Sequence, residues 1–179
     1  MSATLDTPRL TVPVSERDHV RGQATAPLTL LEYGDYECPF CGAAHAVLKQ
    51  LLEIMGDEVR LAFRNFPLAQ IHPRAQLAAE AAESAALQGR FWEMHDTLFE
   101  HQDRLEVQDV IGYAAALRLD LQRFGTDLSQ HTCAPRVRED FLSGIRSGVN
   151  GTPTFFVNGV RHNGSYDLGS LIAALRSAL

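Results

Sequence analysis

Cysteine is scarce in this chain. Three in 179 residues is too few and too odd a number for a disulfide scaffold, and a hydrophobic content of 45% supplies one domain's core without such staples. Long apolar runs are missing as well. No segment approaches the length needed to cross a bilayer, and Met1 to Gly22, broken by Pro8 and Pro13 and dotted with charge, contains no signal-peptide core. The compartment expected from these absences is the cytoplasm. Nor is there an excess of positive charge. Against 16 Lys and Arg stand 22 Asp and Glu, a net charge of −6, and the scattered basic residues form no stripe along which nucleic acid could be tracked. Internal repeats and low-complexity tracts are lacking too.

What the chain does have is two of its three cysteines placed three apart, in Cys38-Pro39-Phe40-Cys41. That spacing serves either a redox dithiol or half of a metal site. The local pattern favours the first. Leu28 to Tyr33 is a short apolar run of the kind buried on both faces of a parallel sheet, interrupted only by Glu32. A polar turn follows, and from Cys38 the apolar positions Phe40, Ala44, Val47, Leu48, Leu51, Leu52 and Met55 recur at helical spacing. Pro39 suits a first helical position, where no amide hydrogen is missed. Gly56 closes the helix, and Val59 to Phe66 reads as a second strand. Right-handed crossover makes the two strands a parallel pair.

Helical patterning dominates next, over Arg74–Gln88, Phe91–His101, Val107–Leu117, Leu121–His131 and Pro135–Gly148. Strands return after Gly151-Thr152-Pro153, with Thr154–Val157 and Val160–His162 joined by Asn158-Gly159, a hairpin signal. An amphipathic helix from Leu168 to Leu179 closes the chain. The expected fold is α/β: the βαβ and ββα halves of a thioredoxin-like domain with a helical insertion. Residues 1–26 form an N-terminal arm with an edge strand near Leu10–Val14, residues 27–72 and 149–179 the thioredoxin-like domain, and 73–148 the insertion.

A thiolate at a helix N-terminus is stabilised by unpaired amides and the helix dipole. Cys38 holds that place, and Cys41, one turn further, can attack a mixed disulfide formed at Cys38. Zinc would need Cys133 and a histidine such as His131 to complete a Cys3His set, yet Cys133 stands alone in a helical joint. Glu32, in a strand written for burial, is a candidate proton shuttle for Cys41; the alternative is a strand-end carboxylate reaching water. Thr152-Pro153 precedes a strand, where the proline fits either a cis turn or an ordinary trans strand start. Cys133 fits a small buried hydrophobe, with a regulatory or intermolecular disulfide as the alternative; His72 reads as a loop histidine ahead of a helix, though it could approach the active-site surface; and Phe91, Trp92, Met94 and Phe99 fit the core of the insertion better than a substrate groove.

Residues 32–41 (Glu-Tyr-Gly-Asp-Tyr-Glu-Cys-Pro-Phe-Cys), 65–68 (Asn-Phe-Pro-Leu), 71–73 (Ile-His-Pro), 91–96 (Phe-Trp-Glu-Met-His-Asp) and 148–159 (Gly-Val-Asn-Gly-Thr-Pro-Thr-Phe-Phe-Val-Asn-Gly) together resemble the DsbA-like family of thiol–disulfide oxidoreductases. The likeness runs from about His19 to the C-terminus. It implies a nucleophilic Cys38, a resolving Cys41, a buried acid at Glu32, a cis Thr152–Pro153 bond, and a substrate surface made by Pro39, Phe40, Thr152 and Pro153. It also implies no cofactor beyond a redox-active Cys38–Cys41 disulfide, and as partners protein dithiols or disulfides and a second redox protein. DsbA carries a histidine where this chain has Phe40, so a potential between about −120 mV for DsbA and about −270 mV for thioredoxin is expected. A cytoplasmic setting would favour reductase, isomerase or repair work over bulk disulfide formation. Two other functions fit less closely. A kappa-class-like glutathione-dependent transferase or isomerase would usually have serine at position 38 and no resolving cysteine, and a non-enzymatic redox-sensing or binding module would use the same groove without turnover.

Overall fold

The structure, a computed structural model, describes residues 8–179. Among these residues, strands β1 (His19–Arg21), β2 (Leu28–Gly34), β3 (Val59–Asn65), β4 (Thr154–Val157) and β5 (Val160–His162) form one sheet in the order β1-β3-β2-β4-β5. Strands β2 and β3 are parallel, with Glu32 opposite Phe63, while β4 runs antiparallel to β2 and sets Phe155 on the other side of Glu32. The crossover between β2 and β3 is helix α1 (Pro39–Met55). It ends at Gly56, whose φ of 51° suits a residue without Cβ.

The two faces of the sheet have different covers. On one, Leu28 and Leu30 of β2 meet Ala44, Leu48, Leu51 and Met55 of α1 and Leu171 and Leu175 of α7 (Leu168–Arg176), which Asp167 caps by accepting from Ser170 N at 2.9 Å. On the other, Leu31, Tyr33, Ala62, Phe66 and Phe156 meet Val149 and Phe141. The two-residue period of a strand therefore places Glu32 on the α1 face. Phe141 belongs to α6 (Ala134–Arg146), which lies close because Gly144 has no side chain: a Cβ there would come within 2.7 Å of Phe66 and 3.1 Å of Tyr33.

Helices α2 (Ala75–Ala86), α3 (Phe91–Glu100), α4 (Val107–Ala116) and α5 (Leu121–Ser129) share a core of alanines with Phe91, Met94, Leu98, Phe99 and Phe124, and Cys38 and Cys41 belong to that cluster. The active-site segment is thus wedged between sheet and insertion. The α/β thioredoxin-like architecture with a helical insertion is borne out, and the elements lie within a few residues of their expected bounds.

The arm is where the structure departs from expectation. Leu10–Val14 forms no strand. Arg9 makes a single bridge to Val160, and the regular edge strand is β1, further along the same N-terminal arm than the Leu10–Val14 segment expected to form it. Pro13 has no amide hydrogen for a ladder, and the carbonyls of Val12 and Pro13 instead accept from Arg64 at 2.9 and 3.1 Å. Residues 1–7 of that arm lie outside the described residues.

Candidate active site

The turn between β2 and α1 is organised by Asp35, whose side chain is fully buried. Its Oδ1 accepts from Glu37 N at 2.8 Å, its Oδ2 from Leu68 N at 2.9 Å, and Oδ2 also meets His72 Nδ1 at 2.8 Å. The Asp35 carbonyl accepts from Cys38 N at 3.1 Å, and its own amide donates to Cys41 Sγ at 3.4 Å. Cys38 is the N-cap of α1, in extended conformation, with Pro39 at the first helical position. The phenylalanine between the cysteines is displayed to solvent, 62% exposed.

These positions divide the chemistry of the two thiols. Cys38 is lowered to about 5, chiefly by a hydrogen bond from the Cys41 thiol, with further help from Thr152 and the amides of Cys41 and Phe40, while its burial opposes the shift. Cys41 is completely buried. Burial, then the Cys38 contact and the Glu32 charge, push its thiol far up, so it keeps its proton at neutral pH. Both cysteines are in the free form.

Glu32 lies under the pair. It is 1% exposed and both carboxylate oxygens lack a hydrogen-bond partner among the described residues. Burial, and then the Cys38 charge, raise its pKa to about 8. The alternative of a strand-end carboxylate reaching water is overturned. The Thr152–Pro153 bond is cis, and the Thr152 carbonyl stands 3.5 Å from Cys38 Sγ. Cys38 and Cys41, Glu32, and Thr152-Pro153, drawn from three places in the chain, thus meet at one end of the sheet, with Pro39 and Phe40 on the rim.

Several site residues carried no signal in the sequence. Gln102, in the loop after α3, donates its Nε2 to the carbonyls of Tyr36 and Cys38 at 2.9 and 2.8 Å. It fits only because residue 42 is glycine: a Cβ there would lie 2.1 Å from Gln102 Oε1. Tyr166 also stands by the pair, its phenol pushed up by burial and by charge at Cys41 and Cys38. Cys133 and His131 lie elsewhere. Cys133 is buried at the start of α6, its thiol pushed up to about 11 by burial and by Asp127, Glu83 and Glu80, and His131 contacts Glu80. Among the described residues they make no ligand group with the Cys38–Cys41 pair.

A family model described as thioredoxin matches residues 14–176. The chain belongs to the thioredoxin family. Among solved structures, this thioredoxin-family chain is similar to BdbD from Bacillus subtilis, with a TM-score of 0.84 at 23% identity, covering 97% of this chain and 98% of that one. A thioredoxin-like oxidoreductase from Silicibacter pomeroyi scores 0.79 at 27% identity, over 92% and 93% of the two chains. Alpha-DsbA1 from Wolbachia pipientis scores 0.78 at 22% identity, over 94% of each. Within the thioredoxin family the fold is therefore DsbA-like, and thiol–disulfide oxidoreductase is the class on which family, fold and cysteine pair agree.

Curated relatives carry another name. The chain is 52% identical over 170 residues to a Na(+)/H(+) antiporter NhaA 1 from Salinispora arenicola, and 49% identical over 164 residues to one from a Mycobacterium species. It spans about a quarter of the length of these relatives, 26% and 27%. No helix among the described residues is long and apolar enough to cross a membrane.

Proposed function

We propose that this oxidoreductase works on protein dithiols and disulfides, with Cys38 as nucleophile, Cys41 as resolving thiol, Glu32 as proton relay and Thr152–Pro153 as the edge that aligns the substrate backbone. The observation that carries the proposal is the asymmetry of the pair: an acidified Cys38 at the helix start beside a buried, protonated Cys41. In the reducing direction, Cys38 thiolate attacks one sulfur of a substrate disulfide, that S–S bond breaks, and the second substrate sulfur leaves as thiolate. Cys41 then attacks Cys38 Sγ, its proton passing to Glu32, and a Cys38–Cys41 disulfide forms as the other substrate thiolate leaves. Two electrons move from the pair to the substrate. The reverse sequence oxidises a dithiol.

Glu32 suits its part because its pKa of about 8 lies near working pH and loss of negative charge at Cys38 in the mixed disulfide makes the carboxylate form easier to reach. The Thr152 hydroxyl is buried without a partner among the described residues, available to a thiolate at Cys38. We assign this chemistry to the cytoplasm, with an external redox protein resetting the pair. The antiport named for the longer relatives is not assigned to this chain; the segment they share with it is the one bearing the redox fold. Cys41→Ser should accumulate mixed disulfides with proteins, and the wild-type chain should reduce insulin or reshuffle scrambled ribonuclease. Turnover only with glutathione would replace the proposal by a kappa-class-like activity, and failure of trapping and turnover alike by a non-enzymatic module.

A further inference from the structure

Helices α1 and α3 meet with three ligand-bearing side chains turned toward one another. His45 of α1 and His95 and Asp96 of α3 each offer one atom, and these atoms all lie within 4.8 Å of one another. His45 Nε2 is 3.7 Å from Asp96 Oδ1, buried, and without a hydrogen-bond partner among the described residues. A buried imidazole nitrogen left in that state costs free energy until something engages it. Around a tetrahedral ion with bonds of about 2.0–2.1 Å, ligand atoms are about 3.3 Å apart. His45 Nε2 and Asp96 Oδ1, at 3.7 Å, are already near that spacing, and the rest of the group, within 4.8 Å, would close on an ion by up to about 1.5 Å.

The neighbours provide the outer contacts that hold metal ligands in place. His95 Nδ1 lies 3.0 Å from the Tyr36 hydroxyl; donated as Nδ1–H, this contact fixes the ring and leaves the Nε2 lone pair for a metal. Arg21 brackets Asp96, at 3.1 Å to Oδ1 and 2.8 Å to Oδ2, and orients the carboxylate toward His45. Phe99 stacks on His45 with centroids 5.1 Å apart, and Phe63, Phe91 and Trp92 wall His95. Because Arg21 already offsets the single carboxylate, the group suits ions that imidazole binds well, such as zinc or cobalt, over calcium or magnesium, which call for oxygen ligands.

We propose that His45, His95 and Asp96 form a binding site for one divalent transition-metal ion of the zinc class, separate from the Cys38–Cys41 pair. The test uses the full chain with Cys38, Cys41 and Cys133 all changed to Ser, so that no thiol competes for metal. Trp92 is the single tryptophan and its ring lies 4.9 Å from that of His95, so its emission reports on the site. Cobalt(II) should quench Trp92 saturably at one equivalent, with visible bands of a nitrogen- and oxygen-ligated ion, and zinc should displace it. His45→Gln should weaken that binding at least tenfold with the metal-free melting temperature little changed, whereas His101→Gln, exposed beyond α3, should bind as the parent does. Absence of saturable quenching, or unchanged affinity in His45→Gln, overturns the site. Should the triple substitution disturb folding, the wild-type chain with its active-site pair oxidised serves as parent and is judged by the same two outcomes.

Discussion

Cys38 and Glu32 are displaced from their ordinary titration ranges in opposite directions, with opposite consequences for stability. Alkylation of Cys38 by iodoacetamide should rise through a midpoint near pH 5, the value set mainly by the Cys41 hydrogen bond, and Cys41→Ala should move that midpoint upward. Because folding lowers this pKa, the stability contributed by the thiolate is fully present above the unfolded thiol's pKa of about 8.5 and is lost as pH falls toward 5. Urea denaturation should therefore show the advantage of reduced over oxidised protein shrinking across that window. Glu32 behaves the other way. Its folded pKa is raised to about 8, so between the unfolded value and pH 8 the folded chain binds the extra proton and stability falls as pH rises. Glu32→Gln removes that loss: the variant should be more stable than wild type by roughly 2–4 kcal/mol at pH 7, with little difference at pH 4.5, while thiol exchange loses the limb of its pH profile near 8. An unchanged profile would remove Glu32 from the relay.

The start of α1 shows how one missing side chain organises an element. Gly42 leaves room for Gln102, which holds the carbonyls of Tyr36 and Cys38. In Gly42→Ala the flexible end of Gln102 is displaced, losing two hydrogen bonds worth about 1 kcal/mol each, and the helix gains about 1 kcal/mol from alanine. The balance is a net loss of about 1 kcal/mol. Global stability should stay within about 1 kcal/mol of wild type, whereas amide hydrogen exchange at residues 36–38 should accelerate; Gln102→Ala should reproduce the faster exchange without the helical gain. Protection equal to wild type in both variants would show that the turn is held by Asp35 alone.

Across the whole molecule, the arm, the sheet and the insertion converge on buried polar contacts. Arg64 of β3 pairs with Asp18 at 2.7 and 3.0 Å, both side chains 4% exposed, and also donates to the Tyr33 hydroxyl at 3.0 Å. Asp18→Asn leaves that guanidinium without its counter-charge and should cost about 3–5 kcal/mol in chemical denaturation; a cost under 1 kcal/mol would mean that the clasp is replaceable. The redox potential also belongs to this scale, since it compares two states of the entire chain. A Cys38 pKa of about 5 falls between the thiols of DsbA, about 3.5, and thioredoxin, about 7, so equilibration with glutathione should give a value between about −120 and −270 mV. A value outside those bounds would mean that the pair is governed by more than the acidity of Cys38. By itself the sequence determined the order of elements from β2 onward and the reactive pair, because hydrophobic period, turn chemistry and the Cys38–Cys41 spacing are local and survive in one dimension; it named Glu32 as a candidate acid without deciding its burial. Only tertiary structure decided the rest. The β1 edge is three residues of ordinary composition, Asp35 and His72 are 37 positions apart, and Gln102 reaches Cys38 across 64. Their roles come from which surfaces the fold presses together, and burial, rather than residue type, sets the protonation states of Cys41, Glu32, His45 and His95.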